Sequence, residues 1–341
     1  MPGPSHTDGR VQDGLGRFSP RAMFEAASMY YLEDATQAGV ARALGTSRTT
    51  VSRLLSEARR RGIVRIDVIP PPADDDDVAC GLARRLGVRS VRLAPARSVV
   101  AGGTSLGPAL AAALADVALA PDDVLLVSSG RTLFEAAQGD LPALPRVRVV
   151  PMVGGREEAQ VWCHTNEVAR LVAAKVGGQP LFLYAPAYPG PELRERLAED
   201  PATRTVLELW PRARCAIVGV GAPPRARTSL PRFVPRDPGL LARAVGDVCN
   251  HFYGVDGERI PFPGCERLIA IGEQALKALP TSIAVAAGAG KVHSIIGAAR
   301  AHYLTDLVTD RATAEALLLE LDELPPPRSV EGMAGPCLPS P

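Results

Sequence analysis

From Ser90 onward the chain alternates between two hydrophobic periods. Short, almost unbroken apolar runs bounded by Gly or Pro predict strands: SVRLA from Ser90, DVLLVSS from Asp123, VRVVPMV from Val147, PLFLYAP from Pro180, CAIVGVG from Cys215, RLIAIG from Arg267, SIAVAAG from Ser282 and DLVTD from Asp306. Between most of them the apolar positions recur at helical spacing, in LGPALAAALADVAL, NEVARLVAAKVG, EQALKAL, KVHSIIGAARAHY and TAEALLLEL. Strands apolar on consecutive positions suit a sheet buried on both faces. Strand–helix alternation with right-handed crossovers predicts an α/β fold built on a doubly wound parallel sheet. No repeat at solenoid periods interrupts the pattern.

Before Ser90 the period is helical. A first helix is predicted over roughly Arg21 to Glu33, with Phe24, Ala27, Tyr30 and Tyr31 on its inner face. A second runs from Gln37 to Leu44, with Thr36 as N-cap and Gly45 as its stop. Gly39 inside it costs about 1 kcal/mol against Ala and spoils a capping box from Thr36. A third follows Ser47, another good N-cap, and ends at Gly62. Its Val51, Leu54, Leu55 and Ala58 form one apolar stripe, while Arg48, Thr49, Ser52, Arg53 and Arg60 face the other way. IVRIDVI then reads as a strand with Val64, Ile66 and Val68 on one face.

Two short helices joined by a Gly turn and followed by a strand describe a winged helix-turn-helix over residues 18–69. In that motif the second helix of the pair enters the major groove of double-stranded DNA by its N-terminal end. Arg pairs with guanine there, and Ser and Thr serve bases or phosphates. The expected base-reading set is therefore Ser47, Arg48, Thr49, Thr50, Ser52 and Arg53. Arg59, Arg60 and Arg61 lie where phosphates or only water would meet them. The plainer alternative is a solvated amphipathic helix.

Charge supports the first reading. The whole chain of 341 residues carries a formal net charge of only +1. Between Phe18 and Arg65, however, eight Arg face four acids, which gives about +4 there and about −3 elsewhere. A basic module on a mildly acidic body suggests nucleic acid at one end. The length suggests two domains, or one large domain with an appendage. PPPADDDD, residues 70–77, reads as a linker, since three prolines end a strand and four aspartates repel one another. A metal site there would need a shaped loop to turn consecutive acids onto one ion. The second domain is expected over residues 78–323, with disordered tails at 1–17 and 324–341.

The six cysteines, Cys80, Cys163, Cys215, Cys249, Cys265 and Cys337, form no CxxC and no zinc spacing with a histidine, so they read as isolated thiols of a reducing compartment. His164, His251, His293 and His302 show no metal spacing either. No metal and no cofactor is expected. The N-terminus lacks the apolar core of a signal peptide, and no apolar run reaches membrane-spanning length. The expectation is a cytoplasmic protein with no membrane partner, associated with the nucleoid when DNA-bound.

The segment YYLEDATQAGVARALGTSRTTVSRLLSEARRRGIVRIDV resembles the DNA-binding segment of the SorC family of sugar-binding bacterial transcriptional regulators. The resemblance continues through DVLLVSSGRTLFEAA, VVPMVGG, VGVGAP, GDVCNHFYGVDGERI and IAVAAGAGKVHSIIGAARAHYLTDLVTDRATAEALL, and spans roughly residues 20–322. It implies a Rossmann-like effector domain related to sugar-phosphate isomerases, a phosphorylated sugar or related metabolite as effector, and action on a DNA operator as a homodimer or homotetramer. Two departures stand out. Ser129 occupies a position where the family commonly has a bulky aromatic, and AAGAGK replaces Ala-Gly-Gly followed by an acidic residue and Lys.

Ligands of such sheets bind beyond the C-terminal strand ends. Gly130, Arg131 and Thr132 stand between a strand and a helix, where backbone N–H groups and the helix dipole favour a phosphate, with a hydroxyl and a guanidinium to add. Gly154 and Gly155, and Gly221, mark similar turns, although Gly there often serves backbone shape alone. Asn166 opens a helix and is either a cap or, on the family pattern, a ligand contact. Asp247 and Asp310, at loops or strand ends, are placed to accept hydrogen bonds from sugar hydroxyls or to cap neighbouring helices. AGAGKV fails the P-loop pattern, which needs Gly where Val285 stands and Ser or Thr where Val292 stands. Lys291 nevertheless follows a Gly-rich turn, and it is one of three lysines beside thirty-five arginines. A compact ammonium there suits a phosphate or, as a nucleophile, a carbonyl.

The function expected is a ligand-controlled DNA-binding regulator with no catalytic residues. Two alternatives stay open: a sugar-phosphate isomerase-type enzyme, which needs an acid–base pair flanking the sugar carbon, and a DNA-binding scaffold with a degenerate pocket.

Overall fold

The computed structural model describes residues 18–64, 73–94, 99–100, 103–227, 234, 239 and 241–324. The expected tail 1–17, all of the expected tail 324–341 but Leu324, the wing residues 65–69 and the first linker residues 70–72 lie outside the described residues. The chain divides into two compact units, Met1–Val68 and Ile69–Pro341.

The first unit holds three helices, α1 (Pro20–Tyr31), α2 (Gln37–Ala43) and α3 (Arg48–Arg60). Each starts on a hydroxyl that accepts a backbone N–H: Ser19 from Ala22, Thr36 from Gly39, and Ser47 from Thr50, each at 3.1 Å. Pro20 sits at the first helical position of α1, where its missing N–H costs nothing. Gly45 closes α2 with φ +61°, a backbone conformation that favours glycine. Met23, Ala26, Ala27, Val40, Val51, Leu54, Leu55 and Ala58 form the core. The stripe expected on α3 is the stripe that is buried. On α1 one expectation fails: Phe24 is 61% exposed, and Met23 takes the inner position. The inner stripe of α1 runs through Met23, Ala26, Ala27 and Tyr30, one residue around the helix from Phe24.

The second unit opens with α4 (Ala73–Leu86), which corrects the expected linker at 73–77. Asp75, Asp76 and Asp77 occupy the first turns of this helix, where the positive end of the helix dipole favours negative charge, and Asp75 meets Arg311 at 2.6 Å. There follow β1 (Ser90–Leu93), a short antiparallel pair β2 (Val99–Val100) and β3 (Gly103–Thr104), α5 (Gly107–Asp116), β4 (Val124–Val127), α6 (Arg131–Ala137), β5 (Arg148–Pro151), α7 (Thr165–Val176) and β6 (Gln179–Pro180). Next come α8 (Pro191–Glu199), α9 (Pro201–Leu207), β7 (Cys215–Gly219), an antiparallel hairpin of β8 (Gly246–Val248) and β9 (His251–Tyr253), α10 (Glu273–Lys277), β10 (Ser282–Val285), α11 (Val292–Arg300), β11 (Asp306–Thr309) and α12 (Arg311–Glu323).

Seven of these strands make one wholly parallel sheet in the order β1-β11-β10-β7-β4-β5-β6. Alternate residues feed two cores. Leu125, Val127, Val149, Ile217 and Val285 pack under α5, α6 and α7, whereas Leu126, Val150, Val218, Ala284 and Leu307 pack under α4, α11 and α12. This is the doubly wound arrangement that the near-continuous apolar runs predict.

Two predicted strands are corrected. RLIAIG is not a ladder strand; it makes an isolated antiparallel bridge from Ala270 to Val153. In PLFLYAP only Pro180 belongs to β6, because beyond Leu181 the side-chain amide of Asn166 binds the backbone of Leu183 instead. The β8–β9 hairpin carried no sequence expectation. Its two-residue turn, Cys249 and Asn250, has φ +52° and +65°, a type I′-like geometry reached here without glycine.

Candidate functional site

On α3 the side chains of Arg48, Thr49, Ser52 and Arg53 are exposed together, opposite the buried stripe. Ser47 and Thr50 are placed differently. Besides capping α3, the Ser47 hydroxyl hydrogen-bonds the Thr50 hydroxyl at 2.8 Å, so these two groups satisfy each other. Arg48 also borders an open groove lined by Tyr30, Tyr31, Asp34, Thr36 and Gln37. At the other end of the helix Glu57 draws in two arginines, Arg60 at 2.5 Å and Arg61 at 2.6 Å. Hydrogen bonds from Arg60 and then Arg61 bring the Glu57 carboxyl down to about 2. Of the expected phosphate set, Arg59 alone has no ion pair among the described residues.

In the second unit the chain runs outward from β4 through β5 to β6. It then returns to β7 on the other side of β4 and continues to β10 and β11. The sheet thus reverses between β4 and β7, and ligands of open α/β sheets bind beyond such a switch point. The turns that leave these two strands touch. Gly219 N–H donates to Ser128 Oγ at 2.8 Å. A Cβ on Gly219 would stand 3.0 Å from the Ser129 carbonyl, and one on Gly130, with φ +144°, 3.9 Å from Gly219 Cα. Glycine is needed here for close backbone approach.

Thr132, in the first turn of α6, meets Lys291 across this crevice: Lys291 Nζ donates to Thr132 Oγ1 at 3.2 Å. Lys291 comes from the 3₁₀ turn Ala289–Lys291, entered through Gly288 at φ +108°. Burial lowers the Lys291 pKa, and the Arg227 guanidinium lowers it further, against the opposing charges of Asp247 and Glu135. Thr132 Oγ1 is its one hydrogen-bond partner among the described residues.

Asp247, on β8, faces the same centre. It is 8% exposed, forms an ion pair with Arg227, and accepts the Asn250 N–H at 3.0 Å. Burial pushes its carboxyl up, but the charge and hydrogen bond of Arg227, then the Asn250 N–H and the nearby Arg156, outweigh burial, and the net shift is down. Gly221 lies against this pair, and any side chain there would collide with Asp247 and Arg227. Arg156 pairs with Glu158 at 2.8 Å. Arg131, itself exposed, stacks on Trp162 with its guanidinium carbon 4.7 Å from the ring centroid. The Trp162 carbonyl accepts the Gly130 N–H at 2.8 Å.

The remaining expected contacts are placed as framework. Gly154 N–H donates to the Ile269 carbonyl, and Gly155 N–H to the Ala185 carbonyl. A Cβ at Gly154 would lie 2.7 Å from that same Ala185 oxygen. Both groups are therefore engaged in backbone bridges. Asn166 uses both ends of its amide on Leu183, at 3.0 and 3.2 Å. Asp310 caps α12 through the Thr313 N–H at 2.7 Å. The crevice itself thus gathers Gly130, Arg131, Thr132, Gly221, Asp247 and Lys291 from the expected set. It adds Arg156, Glu158, Trp162 and Arg227, which sequence reasoning missed. Arg227 is one arginine among thirty-five and carries no local pattern. Trp162 did offer a signal, as one of only two tryptophans in the chain.

Among the described residues no helix is long and apolar enough to cross a membrane. Residues 71–319 match a protein-family model described as "Putative sugar-binding domain". The sorbitol operon regulator of Klebsiella pneumoniae is 30% identical over 87% of this chain and 98% of its own length. The deoxyribonucleoside regulator of Bacillus subtilis is 30% identical over 90% of this chain and 100% of its own. The crystal structure of the full-length Klebsiella regulator SorC superposes with a TM-score of 0.69 at 29% identity, covering 89% of this chain and all of that one. The family model covers the second unit, the relatives and the full-length structure reach into the first as well, and the chain belongs to the SorC family of sugar-binding transcriptional regulators.

Proposed function

We propose that this protein binds an operator through α3 and is controlled by a phosphorylated sugar held between the ends of β4, β7 and β10. The observation that carries the effector reading is the Lys291–Thr132 contact: a partly buried ammonium whose single hydrogen-bond partner among the described residues is a neutral hydroxyl. Such a group gains more from an arriving anion than a paired one does. Around it Arg131, Arg156, Arg227 and Lys291 face Glu135, Glu158 and Asp247, four cations to three carboxylates, or about +1. That excess suits a phosphate ester, which carries about −1.5 to −2 at neutral pH. Asp247, already oriented by Arg227, is placed to accept a hydrogen bond from a sugar hydroxyl.

The relatives' names, a sorbitol operon regulator and a deoxyribonucleoside regulator, support a carbohydrate effector and DNA as the macromolecular partner. The base-reading residues are Arg48, Thr49, Ser52 and Arg53. Ser47 and Thr50 hold the helix start that presents them. The protein works as a homodimer or homotetramer, and the effector acts by favouring one arrangement of the reading heads over another. An isomerase role is disfavoured because it needs an acid–base pair flanking the sugar carbon, and of the carboxylates near Lys291 both Asp247 and Glu158 are held by an arginine, which leaves Glu135 alone.

Thermal unfolding with ribose 5-phosphate, glucose 6-phosphate and inorganic phosphate tests the effector site. At least one ester at about a hundredfold excess over its Kd raises stability by about 2.7 kcal/mol, and Lys291→Met removes the rise. A rise that survives Lys291→Met, or none with any phosphate ester, would argue against this site.

A further inference from the structure

The first turn of α4 is tied to the effector end of the sheet. Arg311 Nη1 donates to Asp75 Oδ1 at 2.6 Å, with the two side chains 40% and 25% exposed. Arg311 is the first residue of α12 and follows Asp310, the cap at the C-terminal end of β11. The same first turn of α12 receives the turn that carries Lys291: Gly288 N–H donates to Thr313 Oγ1 at 2.7 Å. Further along, Arg85 of α4 pairs with Asp322 at 2.8 Å and donates to the Leu318 carbonyl at 3.3 Å, both on α12. Buried Leu82, Ala83 and Leu86 of α4 share one core with Ala314 and Leu317 of α12. The two helices are thus joined at both ends and along their length. On the other side, only ten residues separate Asp75 from Val64, the last described residue of the unit that carries α3.

We propose that the Asp75–Arg311 pair is a latch that couples the crevice to the DNA-reading unit. The Gly288–Lys291 turn bears on α12 through Thr313. Arg311, two residues earlier, passes the position of that turn to Asp75, which stands ten residues along the chain from Val64 of the α3 unit. Coupling of this kind needs a contiguous set of contacts with two arrangements, and the contacts run unbroken from Lys291 to the start of α4. The pair is the exposed, breakable link in that run. The packed helix faces on either side of it are not. The inference rests on the reading of the Lys291 crevice as the effector site.

The test uses the full-length protein and a DNA duplex that the wild type selects from a random library. Asp75→Asn and Arg311→Gln are each expected to shift the Kd for that duplex about threefold or more, in the same direction, with no phosphate ester present. The exchanged pair, Asp75→Arg with Arg311→Asp, is expected to return it part of the way, since Arg311 also holds Glu315 at 2.8 Å and that contact is not restored. A latch that only stiffened the fold would lower the melting temperature in the single variants without moving the Kd. Unchanged Kd values in both single variants, or an exchanged pair no better than either, overturn the latch. Lys291→Met, followed in parallel by its thermal response to ribose 5-phosphate, reads the phosphate site alone. A wild-type response there removes that site and leaves the duplex measurements to decide the latch.

Discussion

Arg227→Met is expected to destabilise the second unit by about 3–5 kcal/mol, the usual cost of removing one partner from a buried ion pair. Asp247 is the reason. It is almost fully buried, and Arg227, whose side chain is itself 17% exposed, is its only described ion-pair partner. Without Arg227 the carboxylate keeps only the Asn250 N–H and the more distant charges of Arg156 and Lys291. In a unit of this size the loss lowers the melting temperature by roughly 10 °C. Replacing both partners, Arg227→Met with Asp247→Asn, should recover part of it, since no uncompensated charge then remains.

The pH dependence gives the sign. In the wild type Asp247 titrates below the ordinary carboxylate value, because the arginine and the N–H outweigh burial. A depressed carboxyl stabilises the fold above the unfolded pKa of about 3.9, and that contribution is lost as pH falls through the native value. In Arg227→Met burial dominates and the shift turns upward. The variant's deficit against wild type should therefore be largest near neutrality and narrow as pH falls towards 4. Urea titrations at several pH values measure both. A deficit that stays constant across that range would show that lost packing, and not the orphaned carboxylate, is the cause.

The second large effect lies on α3. Arg48→Ala and Arg53→Ala are each expected to weaken binding to the selected duplex about tenfold to a hundredfold and to relax base preference at one position, as loss of a bidentate guanine contact does. Arg59→Ala should weaken all duplexes alike and reduce the salt slope by about one. Arg60→Ala should matter less, because Glu57 already holds that guanidinium. Fluorescence anisotropy at two salt concentrations separates these classes. Full affinity and unchanged base preference in both Arg48→Ala and Arg53→Ala would move the reading surface elsewhere.

The fold was legible where one physical signal decided the outcome. The apolar stripe of α3, its cap Ser47, the stop at Gly45 and the parallel strands β4, β5, β7, β10 and β11 all follow from period and punctuation. Where two signals competed, the reading failed. Phe24 and Met23 are adjacent and equally apolar, so a helical period alone does not choose the inner one. Four consecutive aspartates repel in isolation, yet a helix dipole and Arg311 make that site favourable. PLFLYAP has strand composition, but a side-chain amide from Asn166 occupies the backbone that a ladder would need. The hairpin turn at Cys249 and Asn250 carries no glycine to announce it.

The site divides in the same way. Gly130, Thr132 and Lys291 stand out as candidates because turns between strands and helices bear a local signature, and because lysine is rare in this chain. Arg227 and Arg156 do not, since long-range ion pairs are set by tertiary placement. Glycines 154 and 155 have the look of a phosphate turn, and only the partners of their N–H groups reveal a backbone bridge.

We propose that one chain joins an operator-reading helix to a phosphosugar crevice. This coupling is tested most directly by the affinity of the full-length protein for its selected duplex, with and without the phosphate ester that stabilises it most. Adding the ester is expected to change that affinity about fivefold or more, with no change when Lys291→Met replaces the wild type. Equal affinity with and without a saturating ester in the wild type, or an equal response in Lys291→Met, would contradict it.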